Sequence, residues 1–314
     1  MRFFRTAAVL LTLVIFAGMA PAREIVIPKI DTIYDIVYAQ PDNQPVRLDV
    51  AWPVTGGPYP VVVYFHGGGW AVGDKAALRH RMRMIAQAGY VVFNANYRLT
   101  PEGRFPNAVN DCLGAVIYAK DKAKVYRGDP TRVAVMGDSA GSHLSALVAL
   151  AWDDPYFDPS YAGDGTLEAN VQAAVLMYGA YRMDWVAKEN PRLWGIVATT
   201  PLVVTFMGGT PEQKPLEYRK ASPASYVGRP DIPPMLIICG TADTGYPESL
   251  WFYEQVKDKE GKHAALFVPG AVHEFNLLEY GKDFLYFRAI MDFLDEQLKP
   301  RVAESDSNFT SAPP

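Results

Sequence analysis

The stretch GDSAG, residues 137–141, places a single serine between two glycines where a valine-rich run meets a helix-forming run. A serine on such a sharp strand-to-helix turn holds its hydroxyl oxygen above the sheet, and the flanking glycines give the backbone room to turn. The helix N-terminus that follows adds free N–H groups and positive potential. We therefore predict that Ser139 is the nucleophile of an acyl transfer and that the amide of Ala140 stabilises an oxyanion.

A second glycine-rich stretch, HGGGW at residues 66–70, directly follows the apolar run PVVVYFH. Three consecutive glycines are costly to fold unless something must approach the backbone closely. The N–H groups of Gly68 and Gly69 are therefore predicted to complete the oxyanion hole. A phosphate-binding loop does not fit, because neither G-x-G-x-x-G nor G-x-x-x-x-G-K is present. We expect His66, at the strand end, to support this loop by hydrogen bonding.

A serine nucleophile needs a base, and His273 is the best placed histidine. It lies in VPGAVHEF, directly after the last predicted strand, at the sheet edge where a base must lie to reach Ser139. The other candidates fit less well. His80 lies on a predicted surface helix, His143 follows the serine on its own helix, and His263 precedes a strand in a polar loop.

The acid that orients the base is expected after an earlier strand, and Asp243 in LIICGTADTGYP has that position. The chain order Ser139, Asp243, His273 is the order expected of this arrangement. Glu248 is the reserve acid, although it lies inside the following helix. Asp138, beside the serine, is expected to be structural and to hold the turn through backbone hydrogen bonds.

The elements that must position these residues alternate between strands and helices. Two alternating runs, residues 33–39 and 46–52, predict a half-exposed hairpin at an edge of the sheet. Six further strands, interleaved with helical stretches, are predicted at residues 60–66, 90–97, 132–137, 171–179, 234–240 and 264–270. This interleaving predicts an α/β fold with a mostly parallel central sheet and helices on both faces.

The stretch 181–231 is too long for an ordinary connection between a strand and a helix. It carries large apolar residues among prolines and glycines, namely Trp185, Trp194, Phe206 and Met207. We predict an insertion that forms a lid, in which these side chains wall an acyl pocket of modest size. Trp70, beside the oxyanion glycines, is expected either to close this pocket further or to pack in the core.

The composition indicates one large domain, since 49% of the 314 residues are hydrophobic and no linker or internal repeat divides the chain. A net charge of −4 with scattered basic residues gives no reason to expect a nucleic-acid partner. No pair of histidines has metal-ligand spacing and no acidic loop matches a calcium site, so we expect no metal and no cofactor. Cys112 and Cys239 lie in apolar runs and are predicted to be buried free thiols.

Residues 1–22 have the pattern of a secretory signal, because Arg2 and Arg5 precede an apolar run that ends in APA. The run is too short to span a bilayer, which takes roughly 20 residues. We therefore expect an exported protein, periplasmic or secreted, with no stable membrane anchor after signal removal. The mature domain is expected at 23–300, followed by a disordered polar tail at 301–314.

Six motifs together resemble the α/β-hydrolase esterases related to hormone-sensitive lipase: HGGGW, NYRL (96–99), GDSAG, SPASYV (222–227), GTAD (240–243) and PGAVHEF (269–275). Within that group the chain is similar to bacterial esterases described as acetyl-xylan or feruloyl esterase-like. The resemblance covers about residues 35–298. It implies an α/β-hydrolase fold and the roles already assigned to the serine, histidine, aspartate and oxyanion amides. One departure is Val272, where such esterases more usually have glycine before the histidine.

The residues and the resemblance together predict a serine hydrolase that cleaves small carboxylic esters through an acyl-enzyme intermediate. Two alternatives stay open, namely hydrolysis of aryl formamides or small peptides on the same framework, and a catalytically inactive ligand-binding module. The chain is 20% charged and has no long apolar helix outside the predicted signal, which favours a short-chain ester over a triglyceride. The identity of the ester and the oligomeric state stay open.

Overall fold

Four ranges of the chain are described by the computed structural model: residues 27–163, 165–188, 199–275 and 284–299. The predicted signal segment, the predicted tail and Trp194 lie outside these ranges. Export, the domain ends and disorder of the tail therefore stay predictions. Among the helices that are described, none is long and apolar enough to span a bilayer.

A single sheet of eight strands runs through the described residues. In chain order the strands are β1 (Ile30–Ala39), β2 (Val46–Pro53), β3 (Tyr59–Phe65), β4 (Val91–Ala95), β5 (Gly128–Asp138), β6 (Ala173–Met177), β7 (Met235–Gly240) and β8 (Ala264–Val268). Their spatial order is β1-β2-β4-β3-β5-β6-β7-β8. β1 pairs antiparallel with β2, and β2 pairs antiparallel with β4, whereas the neighbouring pairs from β4 to β8 are parallel. The mostly parallel sheet is confirmed.

Apolar side chains fill both faces of this sheet, because successive residues of a strand point to opposite sides. In β3, Val61 and Val63 enter one core cluster, whereas Val62 and Tyr64 enter the other. Helices cover both faces, as predicted. α1 (Arg79–Gln87) and α8 (Phe284–Leu298) pack on the Tyr64 side, and α2 (Asn107–Lys122), α3 (Ala140–Ala151) and α7 (Tyr246–Val256) pack on the Val63 side.

Two details differ from the expectation drawn from sequence. β2 is largely buried rather than half exposed, because it lies between β1 and β4 and leaves β1 alone at that edge. The sequence also predicts one helix over about residues 75–88, whereas the structure has a 3₁₀ turn, Lys75–Leu78, before α1. Asp74 caps this turn, since its Oδ1 accepts the Ala76 N–H at 2.7 Å.

The long connection between β6 and β7 is largely helical where it is described. Its elements are α4 (Met183–Lys188), α5 (Thr199–Met207), α6 (Pro215–Lys220) and a 3₁₀ turn, Pro223–Tyr226. Phe206 of α5 stacks on Trp70 with ring centroids 4.7 Å apart, so α5 packs against the glycine-rich loop that follows β3. This contact places α5 beside the predicted oxyanion glycines. Its action as a lid stays a prediction.

Candidate active site

Ser139 occupies a strained turn between β5 and α3. Its φ of 53° and ψ of −116° are rare for a residue with a side chain, and its N–H donates to the Met177 carbonyl at 2.9 Å. The flanking glycines leave no room for a side chain. A Cβ on Gly141 would lie 2.2 Å from the Phe65 carbonyl oxygen, and one on Gly137 would lie 2.3 Å from Gly141. The local sequence therefore allows this turn where other residues would clash.

The three residues predicted to react lie together at the carboxyl edge of the sheet. His273 Nε2 is 3.1 Å from Ser139 Oγ, and His273 Nδ1 is 2.7 Å from Asp243 Oδ2. The Asp243 carboxylate is buried, and its other oxygen accepts the Gly245 N–H at 2.8 Å. An ionised Asp243 requires a proton on Nδ1, which leaves Nε2 as the acceptor that faces the serine hydroxyl. The geometry suits a general base, and the roles themselves stay predictions.

Glu248, the reserve acid, binds Arg182. Its side chain is fully buried, and its carboxylate accepts the Arg182 backbone N–H at 2.7 Å and Arg182 Nη2 at 2.6 Å. Burial raises the pKa of Glu248 even though Arg182 opposes the shift. The pair joins α7 to the start of the insertion, so Glu248 has a structural role and Asp243 is the acid beside His273.

The predicted oxyanion donors lie next to the serine. Gly68 and Gly69 have φ values of 119° and 58°, conformations that residues with side chains rarely adopt. Within the described chain, no group accepts a hydrogen bond from either of their N–H groups. A Cβ on the preceding Gly67 would lie 3.2 Å from Ser139 Cβ, so the loop runs beside the nucleophile. Ala140 begins α3, where a backbone N–H has no partner within the helix.

Asp138 holds the glycine-rich loop to the turn. Its buried carboxylate accepts the Gly67 N–H at 3.1 Å, so the bond crosses from β5 to the loop after β3. Burial raises the pKa of Asp138 to about 6, while the Arg81 charge opposes this shift and the Glu274 charge adds to it. Asp138 thus has a structural role, as expected, and it holds the glycine-rich loop in place.

Asp138→Asn should make the slope of the free energy of unfolding against pH more positive between pH 4 and 7. The folded-state pKa of about 6 lies above the ordinary value of 3.8. Between pH 3.8 and 6 the native carboxyl of Asp138 therefore holds a proton that the unfolded chain has lost. This group therefore lowers the free energy of unfolding as pH rises from 4 to 7, by about 3 kcal/mol at most. Asparagine keeps an oxygen for Gly67 and removes the titration.

Urea unfolding at pH 4–7 measures the slope, with Asp231→Asn on the surface as the control. Equal slopes for Asp138→Asn and wild type would contradict this assignment.

Two further histidines near the site are structural. His66 Nδ1 lies 2.6 Å from the Gly67 carbonyl oxygen, which agrees with its expected support of the loop. His143 is buried, accepts the Trp70 indole N–H at Nδ1 and donates from Nε2 to the Ala221 carbonyl. Burial lowers the pKa of His143 to about 4, so it is neutral at pH 7 with both ring nitrogens engaged. Trp70 is fully buried in this contact and is a packing residue.

The predicted wall of the acyl pocket needs correction. Phe206 and Met207 are 0% and 1% exposed, so both belong to the core and neither lines an open pocket. Trp185 is partly buried, and Arg182 lies over its ring at 4.9 Å. Leu202 of α5 faces Gly69, since its Cδ1 would lie 3.1 Å from a Cβ on that glycine. The sequence carries a signal for this position, because Leu202 and Phe206 are four residues apart and so share one face of a helix.

Titratable clusters and thiols give no sign of other chemistry in the described residues. No group of three or more His, Cys, Asp or Glu side chains among them has an arrangement that could hold a metal ion. Cys112 and Cys239 are buried and unpaired, as predicted, and burial raises the pKa of both thiols. Neither thiol therefore has the character of a reactive nucleophile.

Comparison of sequences gives matches to esterases. The BD-FAE family model matches residues 48–251, nearly two thirds of the chain, including Ser139 and Asp243. Esterase LipC of Mycobacterium tuberculosis is 32% identical over 249 residues, which are 78% of this chain and 60% of LipC. Carboxylesterase NlhH of the same organism is 43% identical over 111 residues, 33% of each chain. The chain thus spans about 60% of the length of relatives such as LipC.

Comparison of structures confirms the fold. Esterase Est2 of Thermogutta terrifontis has a TM-score of 0.69 and 24% sequence identity, over 89% of this chain and 96% of Est2. A truncated carbohydrate esterase from gut microbiota has a TM-score of 0.71 and 23% identity, over 86% of this chain and 97% of that chain. The predicted α/β-hydrolase architecture is therefore correct.

Proposed function

Because this chain belongs to the BD-FAE family, we propose that it is a carboxylesterase that cleaves small esters through an acyl-enzyme. The observation that carries this proposal is the position of His273, within hydrogen-bond distance of both Ser139 Oγ and a buried Asp243 carboxylate. A nucleophile, a base and an orienting acid in this geometry are parts that acyl transfer requires. Beside them lie backbone N–H groups with no acceptor within the described residues.

The proposed reaction has two steps. Ser139 Oγ bonds to the ester carbonyl carbon while His273 Nε2 takes the serine proton, and the N–H groups of Gly68, Gly69 and Ala140 bind the oxyanion. His273 then gives that proton to the leaving alcohol as the C–O bond breaks. A water molecule, deprotonated by the same ring, releases the acid and restores the serine. Neither step needs a cofactor.

The described part of the insertion supports a small substrate. Among its described residues, Leu216 is the one large hydrophobic side chain that is exposed. Of the apolar side chains of α5, Val203, Phe206 and Met207 are buried, and Phe206 packs against Trp70. This part therefore carries no broad apolar face of the kind that lipases apply to a lipid surface.

We expect kcat/KM for p-nitrophenyl esters to be highest at four acyl carbons or fewer. Each methylene that fits the pocket raises kcat/KM up to about fourfold, and the trend reverses where the chain meets the pocket end. The measurement is kcat/KM from two to sixteen acyl carbons, with an aryl formamide in the same panel. Ser139→Ala is the control for background hydrolysis. A maximum at ten carbons or longer, with activation at a lipid interface, would make the enzyme a lipase, and faster formamide cleavage would favour the alternative reaction.

A further inference from the structure

Leu202 is held against the oxyanion loop by the packing of α5. A Cβ placed on Gly69 would lie 3.1 Å from Leu202 Cδ1 and 3.9 Å from Cδ2, so the leucine covers the bare side of this glycine. One turn later, Phe206 is fully buried on Trp70, and its carbonyl accepts the Phe105 N–H at 2.9 Å. These contacts hold one face of α5 against the glycine-rich loop. Leu202 itself is only partly buried, so part of its side chain stays accessible.

The order of strands decides which half of an ester would meet Leu202. Ser139 follows β5, and β3 with its glycine-rich loop lies on one side of β5. β6, β7 and β8 lie on the other side, and His273 follows β8. The leaving alcohol must receive its proton from His273, so it lies toward β8. The carbonyl oxygen points to the N–H groups of the glycine-rich loop, and the acyl group, bonded to the same carbon, is directed away from His273 and passes beside that loop.

From this geometry we propose that Leu202 forms the end of the acyl pocket and sets the length of acyl chain that the enzyme accepts. The inference rests on the proposed ester hydrolysis and assigns its specificity to one side chain. The carbonyl oxygen is bound at the Gly69 N–H, so the first acyl carbons lie within reach of the leucine beside that glycine. Trp70 and Phe206 are fully buried against each other, so Leu202 is the accessible side chain of this group.

Leu202→Ala should lengthen the preferred acyl chain. The substitution removes three carbons from the pocket end, so the ratio of kcat/KM for the octanoyl ester to that for the acetyl ester should rise at least tenfold. Acetate esters of different alcohols should keep their relative kcat/KM within about twofold, because the alcohol lies on the other side of Ser139. Leu216→Ala, an exposed leucine on α6, is the matched control and should leave both series unchanged.

Leu202→Trp tests the same idea in the opposite direction and does not depend on the alanine variant being folded. The larger side chain should lower the butyryl-to-acetyl ratio at least tenfold while acetate hydrolysis persists. Circular dichroism establishes that each variant is folded. An unchanged acyl series in both variants, or a change confined to the alcohol series, would overturn the assignment of Leu202 while leaving the esterase intact. A wild-type protein that cleaves no ester would instead overturn the proposed function, and this assignment with it.

Discussion

Replacement of Ser139 by alanine should lower kcat for a short-chain ester about 10⁶-fold while the protein stays folded. Loss of the nucleophile alone has an effect of this order in a serine, histidine and aspartate arrangement, because the remaining groups have no bond-forming atom to act on. Removing the hydroxyl also leaves the strained backbone of the turn in place, since its N–H bond to Met177 does not involve the side chain. His273→Ala should be similarly severe, because the hydroxyl then has no base.

The measurement is kcat for a p-nitrophenyl ester of two to four acyl carbons, with thermal unfolding to establish that each variant is folded. Ser142→Ala is the matched control, since this serine is equally buried and lies one turn further along α3. We expect the control to keep kcat within a few fold of wild type. More than 1% of wild-type kcat in Ser139→Ala would mean that another group is the nucleophile.

Asp243→Asn should lower kcat about 10⁴-fold, which is less than the loss of Ser139. The asparagine amide would donate to His273 Nδ1, and the ring proton would then move to Nε2. A protonated Nε2 cannot accept the serine proton, so the geometry would survive with the wrong tautomer. The activity assay is the same as for Ser139→Ala.

Glu248→Gln tests whether Glu248, the reserve acid, orients His273 in place of Asp243. We expect it to keep kcat within about tenfold of wild type and to lower the free energy of unfolding by about 1–3 kcal/mol, because Arg182 would lose its charged partner. Arg182 is partly exposed, so solvent moderates the loss. If Glu248→Gln lowered kcat 10⁴-fold and Asp243→Asn left kcat unchanged, Glu248 would be the acid that orients His273.

Much of the site could be predicted from sequence because its parts lie at strand ends. The parallel topology carries Ser139, Asp243 and His273 to one edge, so a motif after each strand was enough to group them. Leu202 could not be found in this way. It meets Gly69 through the packing of the insertion, and the two residues lie far apart in the chain. The spacing of four residues to Phe206 indicates a shared helix face but not what that face contacts. The burial of Trp70 against Phe206 could not be predicted either, since each side chain could equally have lined a pocket.

The ion pair between partly exposed Arg182 and buried Glu248 ties the start of the insertion to α7. Arg182 stands at its entrance, and Glu248 lies on the helix that follows the Asp243 loop. Separation of the two would leave a buried carboxylate without its cation, which costs far more than thermal motion supplies. The entrance of the insertion and the acid loop therefore belong to one cooperative unit that opens together in local unfolding. We therefore expect that any movement of the predicted lid leaves Arg182 in place and keeps the alignment of Asp243.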